Sequence, residues 1–187
     1  FVDASTVILN LTSGATYELN GTAMRVSGAG VAISIGTTGA SPAVLDAQGL
    51  SRHFVVELGA RLTLRNIILK NGYVTDDADG GSVHVSGEGS NVQLMDMIIR
   101  ENTAFPTTGG ILVARGGAVF ATEGATVNVT SSLIFNNTGG YGAGIAAAVG
   151  GKLWIKGCTF VGNHGIRGGS FGVQAGISAV DNILKRA

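Results

Sequence analysis

The chain has 187 residues, of which 31 are glycine and 2 are proline; 45% are hydrophobic, 13% are charged, and the formal net charge is zero. Glycine without proline excludes collagen, and so apolar a chain argues against disorder. Zero net charge leaves no basic footprint for nucleic acid, and no apolar run approaches the roughly 18 residues of a membrane span.

Taken in chain order, the first signal is alternation. Val7, Leu9 and Leu11 alternate, and so do Val31, Ile33 and Ile35, ahead of a turn-rich stretch from Gly36 to Pro42. A period of two puts each set on one face of a strand. From residue 51 the chain repeats itself. Ser51–Leu64, Gly80–Leu94, Gly116–Val129 and Gly142–Ile155 align, the second with one extra residue. Each holds an apolar strand, a glycine-containing turn and a second strand whose inward pair is Leu62/Leu64, Val92/Leu94, Val127/Val129 or Leu153/Ile155. A small polar or glycine position follows at Asn66, Asp96, Ser131 and Gly157, at spacings of 30, 35 and 26 residues. Next come the apolar positions Leu69, Ile99, Ile134 and Phe160, and then Gly72, Asn102, Asn137 and Asn163.

No unit this short buries its own apolar face; stacked units do, and each strand then pairs with its neighbours above and below. The fold expected is all-β, a right-handed parallel β-helix (β-solenoid) of roughly six to seven coils about 4.8 Å apart. Glycine serves the sharp corners, and proline is scarce because interior coils use every backbone donor. Asn102, Asn137 and Asn163 are expected to stack at one corner, in the left-handed region, as an amide ladder. Ile177 to Leu184 reads as a truncated coil or a short capping helix. Residues 1–187 are expected to form a single domain, and a start at Phe1 suggests a processed or partial form of a longer secreted protein.

Gly80-Gly81-Ser82-Val83, Gly116-Gly117-Ala118-Val119 and Gly168-Gly169-Ser170-Phe171, with Phe160-Val161-Gly162-Asn163, resemble the GGA[ILV] and FxxN repeats of the polymorphic outer membrane protein family. Ile99 to Asn102 and Ile134 to Asn137 are looser versions. The likeness covers about residues 50 to 170; over the whole chain the sequence is similar to right-handed parallel β-helix proteins of the pectin-lyase-like kind. The first resemblance implies a surface-exposed, often adhesive module, and the second allows a polysaccharide lyase or hydrolase.

Several residues could carry chemistry. Arg61, Thr63 and Arg65 point outward in one coil, and Lys152, Trp154 and Lys156 in another. An exposed Trp between lysines can stack on a sugar ring or a partner protein; the alternative is a Trp shielded by a loop. Glu88 and Glu123 both precede corner glycines and could stack about 5 Å apart, a separation that suits a retaining carboxylate pair, or be two solvated turn residues. Asp76, Asp77 and Asp79 offer oxygen ligands for calcium, or form a solvated loop. His53 at a strand start, His84 outward and His164 in a turn suggest no zinc site. Cys158 aligns with Ile67, Met97 and Ser132 and reads as a small buried residue. Asn10, Asn20, Asn128 and Asn136 head N-glycosylation sequons, and a glycan on Asn128 would obstruct the face that carries Trp154.

These observations lead to a non-catalytic extracellular or cell-surface module, structural or adhesive, that self-associates or joins other structural subunits in a coat or filament. No cofactor is expected apart from calcium, nor any nucleic acid or membrane span; glycans are possible ligands. A carbohydrate-active enzyme or carbohydrate-binding module on the same fold is the alternative.

Overall fold

The computed structural model describes residues 6–75, 79–105, 114–173 and 177–185. Among them there are strands and turns but no helix, and every strand pairing is parallel. The chain winds as a β-solenoid. Each coil visits a six-stranded sheet, turns at a corner glycine, runs along two arms of a twelve-stranded sheet, turns again, and crosses a four-stranded sheet. The two arms are joined by one long strand, Lys152–Val161, which bends at Gly157 (φ 62°).

The alternation of apolar residues becomes vertical columns. Ile33, Leu62, Val92, Val127 and Leu153 stack in one, and Ile35, Leu64, Leu94, Val129 and Ile155 in the next. On the second arm Leu45, Leu69, Ile99, Ile134 and Phe160 form another. The six-stranded sheet contributes Phe54, Val83, Val119 and Ile145. All of these except Ile33 are buried, and they fill one continuous core. Like residues stack on like residues because the register between Ala32 and Val161 does not slip, so the repeat alignment survives there at single-residue resolution; shifts occur only against the strand Ile177–Lys185.

The corners explain the small polar positions. Asn66, Asp96, Ser131 and Gly157 all have φ between 49° and 62°. This column turns the first arm into the second, and the left-handed conformation costs least for Gly, Asn and Asp. The glycine pairs have a second reason. A Cβ on Gly117 would run into the carbonyl oxygens of Thr138 and Ala143, and one on Gly81 into those of Gly117 and Thr103. Backbone passes too close there for any side chain.

The asparagine ladder forms as expected. Asn102 Nδ2 donates to Asn137 Oδ1 at 3.0 Å, and Asn137 Nδ2 donates to Asn163 Oδ1 at 2.9 Å. Each Oδ1 also accepts the backbone N–H one coil away: Gly72 to Asn102 at 2.8 Å, Asn102 to Asn137 at 3.0 Å, and Asn137 to Asn163 at 3.1 Å. The left-handed residue is not the ladder Asn but the one before it: Asn71, Glu101, Asn136 and Gly162, with φ from 53° to 58°. That preceding turn aims the amide inward, where Asn102 and Asn137 are fully buried.

One expectation changes, and one choice between alternatives is decided. Six strands in the second sheet are separated by five turns, fewer than the six or seven coils expected. Circuits from Asn66 to Asp96, Ser131 and Gly157 take 30, 35 and 26 residues, and the described residues include incomplete circuits on either side of these. Ile177–Lys185 is a strand paired parallel to Lys152–Val161, so of the two readings of this stretch the truncated coil holds and the capping helix does not; the edge of that long strand supplies a ready partner.

Asn137→Ala removes the donors that satisfy Ile99 O and Phe135 O and the acceptor of two Asn102 N–H groups. It is expected to lower unfolding free energy by about 3 kcal/mol in urea titration, more than the same change at the ladder-end Asn163. Val149 is an exposed β-branched residue held at φ 48°. Val149→Asn relieves that strain and is expected to raise stability by about 1 kcal/mol in the same assay.

Candidate functional site

The outward face of the first arm gathers all five residues singled out for glycan or partner contact. Arg61, Asn91, Thr126 and Lys152 share one register row, Thr63, Gln93, Asn128 and Trp154 the next, and Arg65, Met95, Thr130 and Lys156 the third. Arg61 and Lys152 border one shallow groove of about 470 Å³, with Glu88, Asn91, Gln93 and Thr126 between them. Trp154 is 45% exposed, so it is not shielded by a loop. Lys152 and Lys156, exposed on either side of it, belong to the same strand, where alternation points all three outward.

The electrostatics of this face differ from the rest of the surface. Elsewhere, cations are engaged: Arg25 with Glu57 at 2.6 Å, Lys70 with Asp46 at 2.9 Å, Arg115 with Asp79 at 2.7 Å, and Arg100 with Glu101. Arg52 donates to the carbonyl of Asp79 at 3.0 Å. At the margin of the face, Arg65 meets Asp96 at 3.5 Å, with both groups well exposed. Arg61, Lys152 and Lys156 have no carboxylate or carbonyl partner, and among the described side chains they are the cations of which this is true.

Glu88 and Glu123 lie at the same corner of neighbouring coils, out of register with one another. The extra residue of the second repeat shifts the corner, so that Gly124 rather than Glu123 packs over Glu88; a Cβ on Gly124 would lie 3.5 Å from the Glu88 Cα. Glu88 enters the groove beside Arg61. Glu123 does not line that groove and is one of the weaker charges acting on the outward His84, whose pKa burial lowers.

Asp79 is taken up internally. Its carboxylate accepts from the Arg115 backbone N–H at 2.6 Å and from the guanidinium at 2.7 and 3.2 Å, and that guanidinium lies 4.6 Å from the Phe120 ring centroid. Arg115 thus engages both carboxylate oxygens of Asp79. Asp76 and Asp77 lie outside the described residues.

His53 and Ser82 form a buried pair that spacing alone did not reveal. Ser82 Oγ–H donates to His53 Nδ1 at 2.9 Å, and Nε2–H donates to the Leu45 carbonyl at 3.0 Å. Both residues are fully buried, so the pair is a satisfied core element without access for a substrate. Burial pushes the imidazole down to about 4. The signal that could have found the pair is the alignment itself: His53 and Ser82 occupy equivalent positions just before strands Phe54–Glu57 and Val83–Val85. His84 is outward and half-buried, with its ring 5.8 Å from that of Phe120 and its pKa lowered mainly by burial. His164 opens the strand His164–Arg167 rather than sitting in a turn. Cys158 is buried, its thiol pushed up by burial, with Sγ facing the carbonyl oxygens of Val129 and Lys156. Of the sequon asparagines, Asn10, Asn20 and Asn136 are exposed, whereas Asn128 is half-buried beside Trp154.

No protein-family model, curated protein or solved structure matches this chain.

The histidine yields a pH signature. The unfolded chain takes up a proton near pH 6.5, which folded His53 refuses until about pH 4. Unfolding therefore binds more protons in that window, and stability falls as pH drops from 6.5 to 4, by on the order of 3 kcal/mol. His53→Gln is expected to flatten this part of the profile, measured as urea midpoints against pH.

Proposed function

We propose that the protein is a non-catalytic, extracellular structural or adhesive module that assembles end to end with copies of itself. One observation carries this reading. Val7 and Leu9 stand in the same inward columns as Leu62 and Leu64, yet they are 52% and 46% exposed. Among the described residues their strand, Thr6–Asn10, is an edge of the twelve-stranded sheet and presents backbone groups together with an apolar row. Such an edge is a template for another strand. At the far end, Ile177–Lys185 is also an edge strand of the described residues. A head-to-tail contact between the two repeats without closing, which generates filaments. The exposed Asn10, Asn20 and Asn136 sequons suit a secreted product.

The enzymatic alternative on this fold needs an acid and a base converging on a substrate. Glu88 lies in the groove with Arg61, and Glu123 is not among the residues that line it. A single carboxylate in that groove favours the non-catalytic reading.

Sedimentation velocity over a concentration series is expected to show association that Val7→Lys combined with Leu9→Lys abolishes, with the β-rich circular dichroism spectrum retained. A monomer at every concentration would overturn the assembly reading. Formation of unsaturated ends on uronate polymers, lost on Glu88→Gln, would instead establish a lyase.

A further inference from the structure

The uncompensated cations are not scattered. Arg61, Lys152 and Lys156, together with the exposed indole of Trp154, lie on a single flat face of a chain with zero net charge. Arg61 and Lys152 lie three coil steps apart in one row. At about 4.8 Å per step, the cations at the two ends are about 14 Å apart. Between them run hydrogen-bonding side chains with no charge: Asn91 and Thr126 in one row, Gln93 and Asn128 in the next.

A free-standing cation on a surface stays hydrated at little cost, so one alone means nothing. Three on one face, while the other described cations are engaged, leave a positive strip with no internal counter-charge except Glu88 at its border. The row from Arg61 to Lys152 runs along the solenoid axis, perpendicular to the strands, and Lys156 lies across it on the same strand as Lys152. Its neutral centre has amides and hydroxyls, which suit sugar hydroxyls, and its Trp offers a flat apolar surface for a pyranose ring. A pyranose unit in an extended chain is about as long as one coil step, so successive sugars meet successive rungs.

We propose that this face binds a linear acidic polysaccharide laid along the solenoid axis. Trp154 stacks on one ring, Lys152 and Lys156 flank it and hold its acidic substituents, and Arg61 meets the acidic group about three sugars away. Asn91, Gln93 and Thr126 hydrogen-bond the intervening hydroxyls. Glu88 accepts from a hydroxyl at the groove wall and works against a phosphodiester backbone, which packs charge more densely than this strip can match. Asn128 lies next to Trp154 in register, so ligand binding requires its side chain to be unmodified. This site is independent of the end-to-end contact, which uses the edge strand Thr6–Asn10.

The test measures binding by isothermal titration to three soluble polymers: alginate oligomers (carboxylate), heparin oligomers (sulfate) and dextran (neutral). Protein bearing the Val7→Lys and Leu9→Lys changes serves as a parallel sample, so that failure to assemble and failure to bind are read separately. Binding to at least one acidic polymer and not to dextran is expected. Trp154→Ala is expected to weaken it at least about fivefold, and Lys152→Glu with Lys156→Glu more than about tenfold, with a shallower salt dependence. Arg100→Glu, on the second arm, is the charge control and should leave affinity unchanged. Thermal melts of each variant check folding. No binding to either acidic polymer, equal loss with Arg100→Glu, or tighter binding of single-stranded oligothymidylate than of either polysaccharide would overturn the proposal.

Discussion

Everything in this molecule follows from the requirement that each coil offer the next a complete row of backbone donors and acceptors. Strands in a solenoid pair only above and below, so a coil that changes height or phase breaks every rung it touches. The chain meets this requirement by holding the strand segments constant and moving variation elsewhere. Coil lengths differ, and most of the difference falls between the four-stranded and six-stranded sheets: Val74 to Val83 spans nine positions, Ala104 to Val119 fifteen, and Gly139 to Ile145 six. The exceptions also lie between strands: residues 37–42 stand opposite Asn66 alone, and one extra residue lies between Val85 and Val92. The other corners are fixed by left-handed residues and by the amide ladder. The face that carries Trp154 is flat for the same reason: it is made of strands whose register never shifts between Arg61 and Lys152.

Much of this architecture was legible in the sequence because a period of two and an inter-coil repeat are both local patterns. Leu62, Val92, Val127 and Leu153 could be aligned by eye, and they stack. So could Asn102, Asn137 and Asn163. The number of turns was less legible, because length converts to coils only if each circuit has the same perimeter, and the insertions vary. The role of the ladder residues was legible in outcome but not in conformation: sequence cannot show whether Asn136 or Asn137 takes the left-handed turn when both residue types favour it.

The candidate site divides along the same line. Outward positions on the strands follow from alternation, so Arg61, Lys152, Trp154 and Lys156 could be placed together in advance. Corner residues could not. A single extra residue before Gly89 turned Glu88 into the groove and broke its alignment with Glu123. The pairing of cations is also a three-dimensional fact. Asp79 sits in an acidic cluster in the sequence, but its partner is Arg115, one coil later and next to Phe120. What distinguishes the Trp154 face, the absence of such partners for three cations, emerges only once the others are accounted for.

The amide ladder also has a mechanical meaning. Inter-coil hydrogen bonds run along the solenoid axis, so tension between its ends loads the coil interfaces in series, and the weakest sets the strength of the whole. The ladder reinforces the interfaces from Asn163 to Gly72 and stops there, since glycine has no side-chain amide to pass on. Beyond it the Lys70–Asp46 ion pair and the Asn71–Asp46 hydrogen bond take over, at 2.9 Å each and partly open to solvent. A stretched rod of this kind yields first on the N-terminal side of Gly72, at a joint that salt softens, while the laddered coils stay wound.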